Sequence, residues 1–165
     1  MKYLAWFGAI LVMLILTVYI IIFTSLGNSL LKPILEQKIK EQTKLESKLS
    51  EFSLSMSDFS VILELDQDNI IKAEGEYSLF SQAFTIFYNI DFKNLQTLKP
   101  LVGTELRGNF GTNGNVKGDI AFMQVEGKSS VGESDTSYHI ELTDFNPTSI
   151  IANIKDAKLA SLLYM

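Results

Sequence analysis

The sequence contains no cysteine and only one histidine, His139. The lack of cysteine excludes a disulfide framework and thiol chemistry, and one histidine cannot form the His/Cys cluster that holds a transition metal. The chain also lacks a Gly-x-Ser-x-Gly elbow, a phosphate loop and a dinucleotide fingerprint. Residues 66–69 do not begin a calcium loop of the EF type, because Ile71 and Tyr77 stand where Gly and Glu are needed. We therefore predict that the protein is not an enzyme and uses no cofactor and no metal.

Positive charge is scarce in most of the chain. Residues 1–50 carry a net charge of +3, whereas residues 51–165 carry −8. Nucleic-acid binding needs a clustered basic surface. The charge balance therefore predicts that nucleic acid is not a partner, and the position of His139 in an alternating stretch predicts that its ring faces solvent.

Formal charge is absent from residues 3–31, and residues 4–23 are almost entirely apolar. About 20 residues at ~1.5 Å each span a hydrocarbon core of roughly 30 Å, and a backbone in lipid must be helical. We predict that residues 1–27 form a single-pass transmembrane anchor. A cleaved signal peptide releasing a secreted β domain is the alternative, but the apolar run is long for a signal and residues 24–29 offer no small-x-small cleavage site.

The lysines after this run bear on orientation. Counted alone, Lys32, Lys38, Lys40 and Lys44 favour a cytoplasmic C-terminal part. Three glutamates are interleaved with them, and the rest of the chain has the composition of an extracytoplasmic domain. We predict a bacterial inner-membrane protein with most of its chain in the periplasm, and the lysine count stands against this orientation.

Residues 28–50 are predicted to form a short amphipathic helix. Asn28 or Ser29 can cap it, and Pro33 suits a first turn. Its apolar stripe is imperfect, so the helix either packs on one end of the domain, lies on the membrane or plugs one end of a groove.

From residue 51 to residue 154 the apolar period is two, which predicts antiparallel strands with one apolar and one wet face. A one-residue slip of phase at Asp58 predicts a β-bulge or a short break. Residues 94–103 predict a short helical turn ended by Pro100, and residues 156–165 have helical composition. The predicted strands are residues 51–57, 59–65, 71–79, 84–92, 105–112, 115–123, 124–130, 137–145 and 148–154.

Glycine recurs on the apolar phase of these strands, at Gly75, Gly108, Gly118 and Gly127. Glycine inside a strand marks a bend, a bulge or a close approach, and a repeated glycine predicts a deliberately curved sheet. The alternative is a generic β-meander with ordinary turn glycines.

The order of these segments resembles the AsmA/TamB-type proteins of Gram-negative envelopes. The resemblance is carried by residues 24–33 (TSLGNSLLKP), 49–56 (LSEFSLSM), 98–108 (LKPLVGTELRG) and 154–165 (IKDAKLASLLYM). It implies an inner-membrane anchor and a periplasmic sheet rolled into an open, β-taco-like groove. It further implies phospholipid as the partner, in outer-membrane lipid transport or envelope assembly, with an outer-membrane assembly protein as a second partner. Family members are usually longer, so residues 51–165 are expected to be an incomplete repeat array.

The predicted fold is thus mainly β, a curved antiparallel sheet preceded by two helices. An apolar sheet face that cannot bury itself needs a covering element or an apolar ligand. A membrane-tethered interaction module that pairs through its sheet edges is the competing function. The predicted lipid-groove residues are Val61, Leu63, Leu65, Ile71, Ala73, Tyr77, Leu79, Phe84, Ile86, Tyr88 and Ile90.

Overall fold

The computed structural model describes residues 2–66, 68–130 and 133–156. The predicted helical tail at residues 156–165 lies almost entirely outside the described residues. The helices are α1 (Lys2–Phe23), α2 (Ser25–Thr43) and α3 (Lys99–Val102), the last preceded by a 3-10 turn at Leu95–Leu98. The strands are β1 (Ser47–Leu54), β2 (Asp58–Leu65), β3 (Asn69–Tyr77), β4 (Phe84–Phe92), β5 (Phe110–Gly118), β6 (Phe122–Ser129), β7 (Asp135–Thr143) and β8 (Asn146–Lys155).

All eight strands form one open antiparallel sheet in which each strand pairs with the next along the chain. Short turns favour this order, because two antiparallel strands joined by a tight turn can pair without a crossover. The prediction of a mainly β, antiparallel fold is confirmed.

The two N-terminal helices are separated by Thr24 alone. Its hydroxyl accepts a hydrogen bond from the Gly27 amide at 3.3 Å and so caps α2. Within the described residues, no single helix is long and apolar enough to cross a membrane by itself, and Val12–Phe23 and Ser25–Thr43 meet that requirement only together, across a bend of 66°.

The helix predicted over residues 28–50 ends earlier than expected. Lys44 adopts a left-handed conformation with φ of 59°, and its amide donates to the Lys40 carbonyl, which closes α2. Ser47 and Leu49 then pair with β2 residues and belong to β1. The predicted helix wrongly included Leu45 and Leu49, because a leucine at every fourth residue fits the alternation of a strand as well as the stripe of a helix.

Two strand boundaries also differ from the prediction. The slip of phase at Asp58 is the turn at residues 55–57 between β1 and β2, and the register irregularity lies instead between Leu49 and Glu51. Residues 105–112 and 115–123 were predicted as two strands, but β5 runs unbroken from Phe110 to Gly118.

The buried core lies at one end of the sheet, which we call the capped end. Leu45, Leu65, Leu95 and Leu98 are buried there against one another. The 3-10 turn at Leu95–Leu98 and α3 confirm the short helical turn predicted at residues 94–103. Pro100 does not end it, because Pro100 lies in the first turn of α3 and Gly103 closes that helix with φ of 78°.

Asn69 holds the segment at residues 94–97 against the sheet by hydrogen bonds. It is completely buried, and its side-chain amide donates to the Asn94 carbonyl at 3.1 Å and to the Thr97 hydroxyl at 2.7 Å. Its side-chain oxygen accepts from the Asn94 amide at 3.1 Å. Three hydrogen bonds from one buried side chain thus fix the segment that covers the capped end.

Candidate functional site

One face of the sheet, which we call the apolar face, carries nonpolar side chains on every strand. The register sets this composition, because directly opposed residues of neighbouring strands point to the same side. Val61, Ala73 and Tyr88 are opposed in one row, and Leu63, Ile71 and Ile90 are opposed in the next. These residues are half-buried, while their strand neighbours Lys72, Glu74, Thr85 and Asn89 on the polar face are exposed.

The register places ten of the eleven predicted groove residues together on the apolar face of β2, β3 and β4. The exception is Leu79. It lies beyond the end of β3, in the turn at residues 78–83, and its side chain is 53% exposed.

The prediction missed the other half of the apolar face. The same register continues through β5 to β8, where Val116, Val125, Ile140 and Ile150 form a row opposite Ile86. Each of these strands alternates nonpolar and polar residues. The predicted break in β5 at residues 112–115, which the structure does not have, hid which of these residues share the apolar face.

A pair of tyrosines bridges the middle of the apolar face. Tyr88 on β4 and Tyr138 on β7 place their hydroxyl oxygens 2.5 Å apart, although two strands lie between them. In a flat sheet those strands would be about 14 Å apart at ~4.8 Å per strand. The two rings therefore lean toward each other over β5 and β6, and Thr112 contacts the Tyr138 hydroxyl at 2.6 Å.

Gly114 and Gly127 make room for this bridge. A Cβ added to Gly114 would lie 2.6 Å from the Tyr88 hydroxyl and 2.7 Å from the Gly127 Cα. A Cβ added to Gly127 would lie 2.5 Å from the Tyr138 hydroxyl and 2.6 Å from the Asn113 carbonyl oxygen. Nonbonded heavy atoms need about 3.5–4.0 Å, so only glycine allows the tyrosines and the neighbouring backbone to approach this closely.

The same crowding occurs between β3 and β4. A Cβ on Gly75 would lie 2.9 Å from the Ile86 Cα, on the apolar side of the sheet. The glycines predicted to mark a crease at positions 75, 118 and 127 do lie on the apolar face, but Gly108 precedes β5 in an irregular segment with φ of 94°.

The tyrosine bridge also affects ionisation. Burial, together with the hydrogen bond to Tyr138, raises the pKa of Tyr88 well above its usual range. Tyr88 therefore stays neutral at physiological pH.

The polar face carries the only histidine. His139 lies 3.3 Å from a Glu126 carboxylate oxygen through Nδ1 and 3.5 Å from Glu141 through Nε2. Its ring is on the wet face, as predicted, although only 31% of the side chain is exposed. Among the described residues, no group of three His, Cys, Asp or Glu side chains is arranged to hold a metal ion.

The two long edges of the sheet differ. α2 packs along β1, where the Asn28 side-chain amide donates to the Leu54 carbonyl at 3.1 Å and Lys32 Nζ donates to the Ser50 carbonyl at 3.1 Å. In the described part of the chain no element pairs with the outer edge of β8. Ile150, Ile151 and Ile154 on β8 are 66%, 55% and 63% exposed.

Comparison with known proteins found no matching family model, no matching curated protein and no matching solved structure.

Proposed function

We propose that this protein is a membrane-anchored, periplasmic lipid-binding protein of AsmA/TamB type. Its apolar face holds the acyl chains of phospholipid, in the service of outer-membrane lipid transport or envelope assembly. The single observation that carries the proposal is an eight-stranded sheet in which one face carries uncharged, mostly nonpolar residues on every strand from β2 to β8. Among the described helices, none makes extensive contact with β2 to β8, and residues 95–98 cover this face only at the capped end.

The physical chemistry favours an acyl chain as the ligand. The face is long, uncharged and continuous from β2 to β8, whereas a compact polar ligand would require converging donors or charges. Each CH₂ group removed from water contributes about 0.8 kcal/mol. A chain taken from a bilayer has already gained that energy, so its transfer onto the apolar face is close to neutral, which suits a protein that must also release its lipid.

The glycine crease supports the same proposal. Neighbouring backbones approach on the apolar side at Gly75, Gly114 and Gly127, and such an approach favours a sheet that curves around that side. A concave apolar surface encloses more of a flexible chain than a flat one. The uncharged run at residues 4–23 supports an anchor that would hold this surface beside its lipid source.

The test compares two adjacent residues that face opposite sides of β4. Ile86 is half-buried on the apolar face, and Phe87 is 54% exposed on the polar face. The full chain is purified in mild detergent, and co-purified phospholipid is quantified by mass spectrometry for the wild type, Ile86→Glu and Phe87→Glu. We expect Ile86→Glu to lose most of the bound phospholipid and Phe87→Glu to keep it.

The unfolding midpoint of each variant is also measured, so that a loss of bound phospholipid is not caused by a loss of folding. Equal phospholipid in all three proteins would show that the lipid surrounds the anchor only, and the proposed function would be wrong.

A second candidate function is an interaction module that pairs through its sheet edge. The observation in its favour is β8, a ten-residue edge strand with exposed isoleucines and no described partner. If this function is correct, the full chain in detergent forms a dimer or captures a partner strand, and Ile151→Lys abolishes that assembly without changing bound phospholipid. A monomer at all concentrations, with no strand partner, would contradict it.

A further inference from the structure

Four hairpin turns meet at the end of the sheet opposite the capped end. They join β1 to β2, β3 to β4, β5 to β6 and β7 to β8, and lie at residues 55–57, 78–83, 119–121 and 144–145. Because consecutive strands are antiparallel, alternate turns fall at one end of the sheet. We call this the open end.

Each of these turns exposes a large nonpolar side chain. We call this row the hydrophobic rim. Its members lie outside the buried core cluster at the capped end, and turns ordinarily favour Gly, Asn, Asp and Ser. The rim consists of Met56 (46% exposed), Leu79 (53%), Phe80 (99%), Ile120 (50%) and Phe145 (67%).

Phe145 shows that the rim has a conformational cost. It occupies a two-residue turn with φ of 63°, and Asp144 before it has φ of 49°. This left-handed region favours glycine or asparagine and disfavours a bulky residue. Phe145 adopts this strained backbone conformation, yet 67% of its surface is exposed, so burial within the fold does little to offset the strain.

The capped end has a different composition. Its connections carry charged residues, namely Asp66, Asp68, Lys93, Lys99, Glu105, Arg107, Glu133 and Asp156. Leu101 and Val102 are also exposed there, but they lie between Lys99 and Glu105, which form an ion pair at 2.6 Å. In the turns of the open end the charged residues are Asp119 and Asp144, and Asp119 is engaged with the amides of Ala121 and Phe122.

The apolar helix α1 ends beside the rim. Thr24 alone separates it from α2, whose Asn28 contacts Leu54 at the last residue of β1, next to the first rim turn. Leu26, in the first turn of α2, is 74% exposed. The most apolar segment of the chain and the rim therefore converge on the same end of the sheet.

We propose that the hydrophobic rim inserts into the interfacial region of a phospholipid bilayer. The apolar face then opens directly onto the acyl chains of one leaflet. This inference rests on the proposed function, because it takes α1 as the anchor in that bilayer. Six strand spacings of about 4.8 Å separate the first rim turn from the last, so the rim extends over roughly 30 Å. A row of that width matches a planar surface better than the compact patch of a protein hot spot.

The test uses the absence of native cysteine. Single-cysteine variants of the full chain, Phe80→Cys and Phe145→Cys, are labelled with an environment-sensitive fluorophore and reconstituted into phosphatidylcholine/phosphatidylglycerol vesicles. The matched controls are Asp68→Cys and Lys93→Cys at the capped end. With a quencher attached to the lipid acyl chains, we expect the rim labels to be quenched at least threefold more than the control labels, with a blue-shifted emission.

Equal quenching of rim and control labels would overturn the proposal. It would also be overturned if the rim labels lost their blue shift on dilution with excess lipid, because the rim would then be buried between copies of the chain. Bound phospholipid, measured on Phe80→Ser/Phe145→Ser, separates the two proposals. If the rim labels are exposed to water and bound phospholipid is undiminished, rim insertion is refuted and the apolar face remains the lipid site. If the rim labels are quenched but wild type and Ile86→Glu bind equal phospholipid, only the lipid site is refuted.

Discussion

Replacing Gly114 by alanine tests whether close backbone approach builds the apolar face. The new methyl group would lie 2.6 Å from the Tyr88 hydroxyl and 2.7 Å from the Gly127 Cα. The tyrosine could move aside, but the backbone of β6 cannot do so without losing its pairing with β5. Overpacking of this kind costs about 1–3 kcal/mol, although alanine in an unstrained strand would be favoured over glycine by about 0.5–1 kcal/mol.

The measurement is urea unfolding of the full chain in detergent, followed by the far-ultraviolet circular dichroism of the sheet. At an m value of about 2 kcal/mol/M, a loss of about 2 kcal/mol lowers the midpoint by about 1 M. Gly111→Ala is the matched control in the same strand, since its Cβ would meet only the Ser130 hydroxyl at 3.1 Å and the Ile90 carbonyl at 4.0 Å. If Gly114→Ala were as stable as the wild type, the crease would not depend on glycine.

Three further predictions concern stability. Asn69→Ala removes the buried amide that holds residues 94–98 and should cost about 2–3 kcal/mol, with faster amide exchange in that segment, whereas the exposed Asn153→Ala should change stability by less than about 0.5 kcal/mol. The raised pKa of Tyr88 gives a contribution to stability that is fully present below the unfolded value of about 10 and is lost as pH rises above it. The unfolding midpoint should therefore fall as pH rises above about 10, and it should fall less in Tyr88→Phe. Hydrogen bonds from two serines lower the pKa of Asp58, so its contribution is present above about pH 4 and is lost as pH falls below that value, and Asp58→Asn should flatten the acid limb of the same titration.

Alternation in the sequence was sufficient to predict the face of most strand residues. Apart from Ile62, Ile70 and Phe87 on the polar face, the residues of β2, β3 and β4 obey it. The groove candidates from these strands share one face, as a period of two requires. The helix prediction for residues 28–50 failed at its C-terminal end, because Leu45 and Leu49 satisfy both periods. Pairing with β2 makes Leu49 a strand residue, and Leu45 lies in the bend before β1.

The tyrosine bridge could not be predicted from local pattern. Residues 112–115 have the composition of a turn, but they pair with both β4 and β6 and so continue β5. Tyr88 and Tyr138, which are distant in sequence, lie over Gly114 and Gly127. The role of Asn69 was hidden for the same reason, since its partners lie 25 and 28 residues away. The hydrophobic rim was visible as single residues in four turns, but their common position follows only from the strand order.

Photo-crosslinking from β6 tests the central claim most directly, because it probes the half of the apolar face that pattern alone did not assign. A photoreactive amino acid is placed in the full chain either at Val125, on the apolar face, or at its neighbour Gln124, on the polar face. After irradiation in membranes, a lipid-binding apolar face predicts phospholipid adducts at Val125 and none at Gln124. Equal adducts at both positions, or none at Val125 while the anchor is intact, would contradict it.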